Sequence, residues 1–167
     1  MKNFKKIYVL GAGAVGCFFG GMLARAHHDV TLVGRSDRAL AIQDHGLARE
    51  CQTFNETIPI KASNDISLLS DADLILLCVK SHDTEKALKD LAPILPKETV
   101  VLSLQNGVAN VDVASQIISN AVYPAVVYVA CGMVGDRVMK HHGRGELLVG
   151  TVGELSLRDS ENLAGIC

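Results

Sequence analysis

The chain has no tryptophan, and only three tyrosines and four phenylalanines among 167 residues. A core with so few rings must be filled by aliphatic side chains. Ala, Val, Leu and Gly accordingly dominate, and 49% of the residues are hydrophobic, a composition that suits strands buried on both faces. Neither sign of charge is in excess: 16 basic residues against 18 acidic ones leave a net charge of −2. That offers no electrostatic footprint for nucleic acid or for an anionic membrane. The five cysteines (Cys17, Cys51, Cys78, Cys131 and Cys167) are odd in number, widely spaced and form no CxxC pair. The spacing argues against a disulfide framework or a zinc site and fits a reducing, cytoplasmic compartment. Cys17 and Cys78 lie in apolar runs and read as small core residues. No hydrophobic run is long enough to cross a bilayer; residues 121–134, the longest, are interrupted by Gly and Pro. The basic residues near the N-terminus lead into an apolar run that meets Gly11 at once, without a cleavage signature. There is no internal repeat and no low-complexity linker, and the length suits one domain with a real core.

What is present is an alternation. Residues 7–10 read as a strand, 15–26 as a helix and 29–33 as a second strand. Ser36 reads as the cap of a helix through Asp44, with Gly46 as its stop. Residues 48–62 are ambiguous; 57–60 look extended, and Pro59 puts them at a sheet edge. Residues 73–79 and 99–104 read as buried strands, with a helix over 84–95 between them. A helix over 109–118 and a strand over 125–129 follow. Beyond these, short apolar groups separated by Gly135-Asp136 and Gly143-Arg144-Gly145 read as hairpins, and a helix begins at Ser160. The pattern predicts an α/β fold: a doubly wound, mostly parallel sheet with right-handed crossovers and an antiparallel hairpin extension.

The first strand runs directly into Gly11-Ala12-Gly13-Ala14-Val15-Gly16, and a helix follows. That is the order a backbone needs to bring a pyrophosphate onto a helix N-terminus, as in a Rossmann-like domain. Gly11 permits the tight turn, Gly13 leaves room for the phosphates, and Gly16 lets helix and strand approach. The N–H groups of the first turn and the helix dipole then hold the anion. The competing interpretation is a glycine-rich turn that binds nothing. About 20 residues on, an NAD-binding domain carries an Asp or Glu for the ribose 2′-hydroxyl; here Gly34 and Arg35 follow the second strand. A glycine leaves room for a 2′-phosphate and a guanidinium grips it, so NADP(H) is the expected cofactor. Arg38 either assists or is a solvated helix residue, and helix capping accounts equally well for Asp37. At the carboxyl ends of later strands stand Lys80-Ser81-His82 and Ser103-Leu104-Gln105-Asn106-Gly107. Lys80 can meet a phosphate, a ribose or a substrate carboxylate, or be an exposed loop lysine. Asn-Gly is also a common turn pair.

Gly-Ala-Gly-Ala-Val-Gly, Val-Gly-Arg, Cys-Val-Lys-Ser and Leu-Gln-Asn-Gly-Val, in that order between residues 7 and 108, resemble the N-terminal half of the 2-dehydropantoate 2-reductase (ketopantoate reductase) family. Residues 143–150 are similar to the last hairpin of that half. The resemblance implies NADPH-dependent reduction of 2-dehydropantoate to (R)-pantoate, on the way to pantothenate and coenzyme A. It implies that Gly11, Ala12, Gly13, Ala14, Val15 and Gly16 hold the pyrophosphate and that Arg35 meets the 2′-phosphate. By the same likeness Lys80 contacts the cofactor and Asn106 lies between nicotinamide and substrate. Ala130, expected at the end of its strand, would lie near the nicotinamide. The family's proton-donating lysine belongs to a second, helical domain, for which residues 1–167 have no counterpart, so no general acid is assigned. His82 reads as a bystander, and Lys140, His141 and His142 as surface-loop residues. Residues 160–167 look like a helix cut as it begins, which favours a truncated reductase. A reductase of another 2-oxo acid and a nucleotide-sensing module without turnover stay open. The expected partner is a small 2-oxo acid, with neither nucleic acid nor membrane; oligomeric state is left open.

Overall fold

The computed structural model describes residues 4–107 and 109–150. Its elements are β1 (Ile7–Leu10), α1 (Ala14–Arg25), β2 (Val30–Val33), α2 (Ser36–His45), β3 (Leu47–Cys51), β4 (Asn55–Ile58), β5 (Lys61–Ser63), β6 (Leu74–Leu77), α3 (Thr84–Leu91), β7 (Val100–Ser103), α4 (Ala109–Ile117), β8 (Val122–Val134) and β9 (Val138–Val149). Short 3₁₀ turns occupy Ile66–Asp71 and Ser81–Asp83.

The two-residue period of the strands divides the interior into two cores. Ile7 and Val9 of β1, Leu74 and Leu76 of β6, and Val100 and Leu102 of β7 pack with Phe18 and Phe19 of α1 and Ile42 of α2. Tyr8, Leu10, Ile75, Leu77 and Val101 point the other way, to Leu88 and Leu91 of α3 and Val111 and Ala114 of α4. Strands apolar on both faces require helices on both sides, and the sheet has them.

The strand order is β4-β3-β9-β8-β7-β6-β1-β2-β5. β8, β7, β6, β1, β2 and β5 are parallel to their neighbours in that run, whereas β8–β9 and β3–β4 are antiparallel. The chain builds outward from β1 to β2 and then crosses to β6 on its other side. That reversal opens a crevice beyond the carboxyl ends of β1 and β6, where doubly wound sheets hold ligands. The fold is therefore the mostly parallel, Rossmann-like sheet with an antiparallel extension that the sequence predicts.

Three local expectations change. Ser36 is the first residue of α2 rather than its cap; Arg35 holds the cap position without a side-chain cap bond, and Ser36 Oγ accepts from Asn64 Nδ2 at 2.9 Å. Residues 47–58 form a hairpin, β3–β4, whose inner strand pairs in parallel with β9 from Ala48–Val138 to Cys51–His141. The later apolar groups form one long hairpin, not several, because β8 extends to Val134. The Gly143-Arg144-Gly145 segment is irregular pairing within β9, with register shifts against Tyr128/Val129 and Ala130/Cys131. The helix expected from Ser160, and Cys167, lie outside the described residues.

Candidate functional site

The glycine loop joins β1 to α1, and each glycine has a different physical reason to be there. Gly11 sits at φ +110°, a left-handed conformation that side chains disfavour. A β-carbon there would come within 2.6 Å of the Cys78 and Val79 backbone. A β-carbon on Gly16 would collide with the Gly11 carbonyl oxygen and approach Val9 Cγ1 at 2.9 Å. Gly13 differs: its φ is −81° and its ψ −170°, which any residue adopts, and nothing lies within 4 Å of where its β-carbon would be. It caps α1, so it supplies no side-chain bond to the first-turn N–H groups, and that turn contains no acidic residue. The result is a bare helix N-terminus facing open space, with the donor geometry and dipole sign that suit a phosphate.

The end of β2 packs directly on this loop. A β-carbon on Gly34 would meet Ala12 Cβ at 2.7 Å, and Gly34 N–H donates to Ser63 at 3.0 Å. Arg35 follows and is exposed beside the loop. Arg38 turns inward: Nη1 donates to the Ala12 carbonyl at 2.8 Å and Nη2 to the Gly135 carbonyl at 3.3 Å. Asp37 is exposed in the first turn of α2, where a carboxylate complements the helix dipole.

The loops after β6 and β7 are tied together by buried polar side chains that sequence reasoning missed. Gln105 Nε2 donates to the Val79 carbonyl at 2.7 Å and to Thr84 Oγ1 at 2.6 Å, and Gln105 Oε1 accepts from Ser103 Oγ at 3.2 Å. Asn110 Nδ2 donates to the Asn106 carbonyl at 2.9 Å and to Ser81 Oγ at 3.2 Å. Thr84, Ser103, Gln105 and Asn110 are all buried, so each needs these partners. The network brings the exposed residues Lys80 and Asn106 onto neighbouring loops. Asn106 and Gly107 line a cleft of about 120 Å³ with Val111 and residues 124–127. Replacing Gln105 with leucine should strand the Val79 carbonyl and Ser103 hydroxyl. Stability should fall by about 1–3 kcal/mol, measured by urea unfolding; an unchanged midpoint would show the network to be slack.

The remaining candidates lie on β8, on β9 and in the turn before α3. Ala130 falls within β8 rather than at its end, exposed and opposite Gly143. His82 is exposed, 3.4 Å from Asp83 Oδ2. Lys140 lies on β9, 3.6 Å from Glu50, and His142 is exposed on the same strand. His141 is no loop residue: it is half-buried on β9, its ring 4.6 Å from Phe18 and its Nδ1 3.3 Å from Arg49 Nη2. The cysteines among the described residues are free thiols. Burial pushes the Cys17 thiol up to about 12, against a smaller opposing pull from Arg38. Burial likewise raises Cys78. Among the described residues no helix is long and apolar enough to cross a membrane, and no group of His, Cys, Asp or Glu is arranged for a metal.

The family profile described as ketopantoate reductase PanE/ApbA matches residues 7–154. The chain belongs to the ketopantoate reductase family. A 2-dehydropantoate 2-reductase of Pyrococcus horikoshii is 47% identical over 105 residues, covering 63% of this chain and 34% of that protein. The crystal structure of a PanE/ApbA family ketopantoate reductase from Ralstonia eutropha JMP134 is 46% identical with a TM-score of 0.87, covering 96% of this chain and 52% of that one. A ternary structure of D-mandelate dehydrogenase with NADH and anilino(oxo)acetate is 28% identical with a TM-score of 0.85, covering 96% of this chain and 53% of that one. This member of the ketopantoate reductase family thus spans about a third of that curated relative and about half of the two solved structures.

Proposed function

We propose that the protein is the cofactor-holding part of an NADPH-dependent reductase that converts 2-dehydropantoate to (R)-pantoate, a step towards pantothenate and coenzyme A. The observation that carries the cofactor site is Gly13. Neither its backbone conformation nor any neighbouring atom requires glycine there; a diphosphate in the open space does. Ala14, Val15 and Gly16 present their N–H groups to that space, and Arg35 lies beside it to hold a 2′-phosphate. Lys80 contacts the cofactor from the β6 loop, and Asn106 orients the 2-oxo acid against the nicotinamide from the β7 loop. Ala130 borders the nicotinamide from β8. Bound NADPH supplies the hydride. The domain architecture that goes with this reading is one cofactor domain over residues 1–167, joined in longer relatives to a helical domain that supplies the proton donor. The small 2-oxo acid is its partner, neither nucleic acid nor membrane is, and the reducing cytoplasm is its compartment.

Arg35 gives the reading its test. Hydrogen bonds to a charged group contribute about 1.5–3 kcal/mol, so Arg35→Ala should weaken NADPH binding by at least roughly tenfold while leaving NADH binding nearly unchanged. Calorimetric titration of both cofactors into both proteins checks this; equal affinities in the wild type would overturn the NADP assignment. A second reading, reduction of a different 2-oxo acid, draws support from the likeness to D-mandelate dehydrogenase.

A further inference from the structure

Arg38 lies one helical turn past Arg35 but faces a different part of the loop. Both carbonyls that it reaches, of Ala12 and Gly135, are neutral. Among the described residues no carboxylate is within ion-pair distance of it. Its Nε is buried and has no hydrogen-bond partner. A part-buried cation set among carbonyl oxygens lacks compensating charge. The peptide that joins Ala12 to Gly13 is trans, and a planar trans peptide directs its N–H opposite to its C=O. The Ala12 oxygen is drawn towards Arg38 and towards Cys17 Sγ at 3.5 Å. The Gly13 N–H therefore turns away from Arg38, outward from the core.

We infer that Arg38 is a positioning residue for the diphosphate: it fixes the Ala12–Gly13 peptide with its N–H outward, and it sets behind the loop a positive charge that an anion in front completes. This rests on the glycine loop holding a dinucleotide. The two arginines then divide the work. Arg35 serves the 2′-phosphate that NADPH alone carries, whereas Arg38 serves the pyrophosphate common to NADPH and NADH.

The test titrates NADPH and NADH into the wild type, Arg38→Met and Arg38→Lys, with thermal midpoints measured alongside. Arg38→Met should weaken both cofactors by the same factor, roughly tenfold for a lost charged hydrogen bond, so that their affinity ratio is unchanged. Arg38→Lys keeps the charge and one donor and should recover part of the loss. If Arg38→Met does not fold, Arg38→Lys carries the test, with a smaller parallel loss in both affinities. A loss confined to NADPH would make Arg38 a 2′-phosphate contact and overturn the inference. So would a lowered thermal midpoint with both affinities intact. A wild type that binds neither dinucleotide would instead overturn the proposed function itself.

Discussion

Gly13→Val should leave the fold intact and abolish dinucleotide binding. The β-carbon of valine meets no clash from the protein, because nothing lies within 4 Å of its position, and the φ of −81° suits a branched residue. The side chain would instead occupy the space in which a pyrophosphate must approach the first-turn N–H groups. Circular dichroism should look native while cofactor titration goes flat. Gly16→Val is the contrasting control. Its β-carbon would collide with the Gly11 carbonyl and crowd Val9, so that variant should lose stability, by about 1–3 kcal/mol or more for overpacking. Undiminished binding by Gly13→Val would reduce the glycine loop to a turn.

Residues 1–167 expressed alone should bind NADPH yet fail to reduce 2-dehydropantoate at an enzymatic rate. Hydride addition to a ketone builds negative charge on its oxygen, and a positioned acid that supplies the proton is typically worth about 10²–10⁴-fold. Lys80 is an exposed loop residue, His82 turns to Asp83, and Lys140 pairs with Glu50 on β3. Holding the substrate in place contributes roughly 7–11 kcal/mol more, and the cleft beside Asn106 is small, about 120 Å³. The assay is loss of NADPH absorbance on adding 2-dehydropantoate. Turnover at the rate of the longer relatives would show that these residues carry their own proton donor, with Lys80 and His82 the first to mutate. Binding without turnover also fits a sensing module, and the two are separated by whether a longer chain is active.

The parallel centre of the sheet was legible because β1 and β6 are unbroken hydrophobic runs, and β7 is one up to its last residue, Ser103, so their identity does not depend on distant partners. The β3–β4 hairpin was not. Its strands read Leu-Ala-Arg-Glu-Cys and Asn-Glu-Thr-Ile, five of the nine residues polar, and β3 is completed by pairing with residues far along the chain. The Gly143-Arg144 pair misled for a local reason. Its positive φ values, +137° and +62°, carry a turn's chemistry but serve an irregularity inside a continuing strand. At the site, the glycine spacing and the residue after β2 could be read directly. Gln105 stood in plain view in its motif, but its burial and three partners exist only once two loops and α3 meet. The direction of Arg38 was equally hidden, since it depends on which way the Ala12 carbonyl faces.

The parallel pairing of β3 with β9 bears on how the chain matures as it leaves the ribosome. β4 ends at Ile58 and β9 begins at Val138, an interval of about 80 residues that takes on the order of ten seconds to synthesise. A two-stranded hairpin is marginal by itself in water, so β3–β4 needs a provisional neighbour during that time. The helix made before it provides one. Gly21 of α1 has no side chain, and a β-carbon there would lie 3.0 Å from Leu47 and 3.4 Å from Ile58. That bare spot gives the nascent hairpin a seat for its two buried aliphatic residues well before its last partner strand emerges.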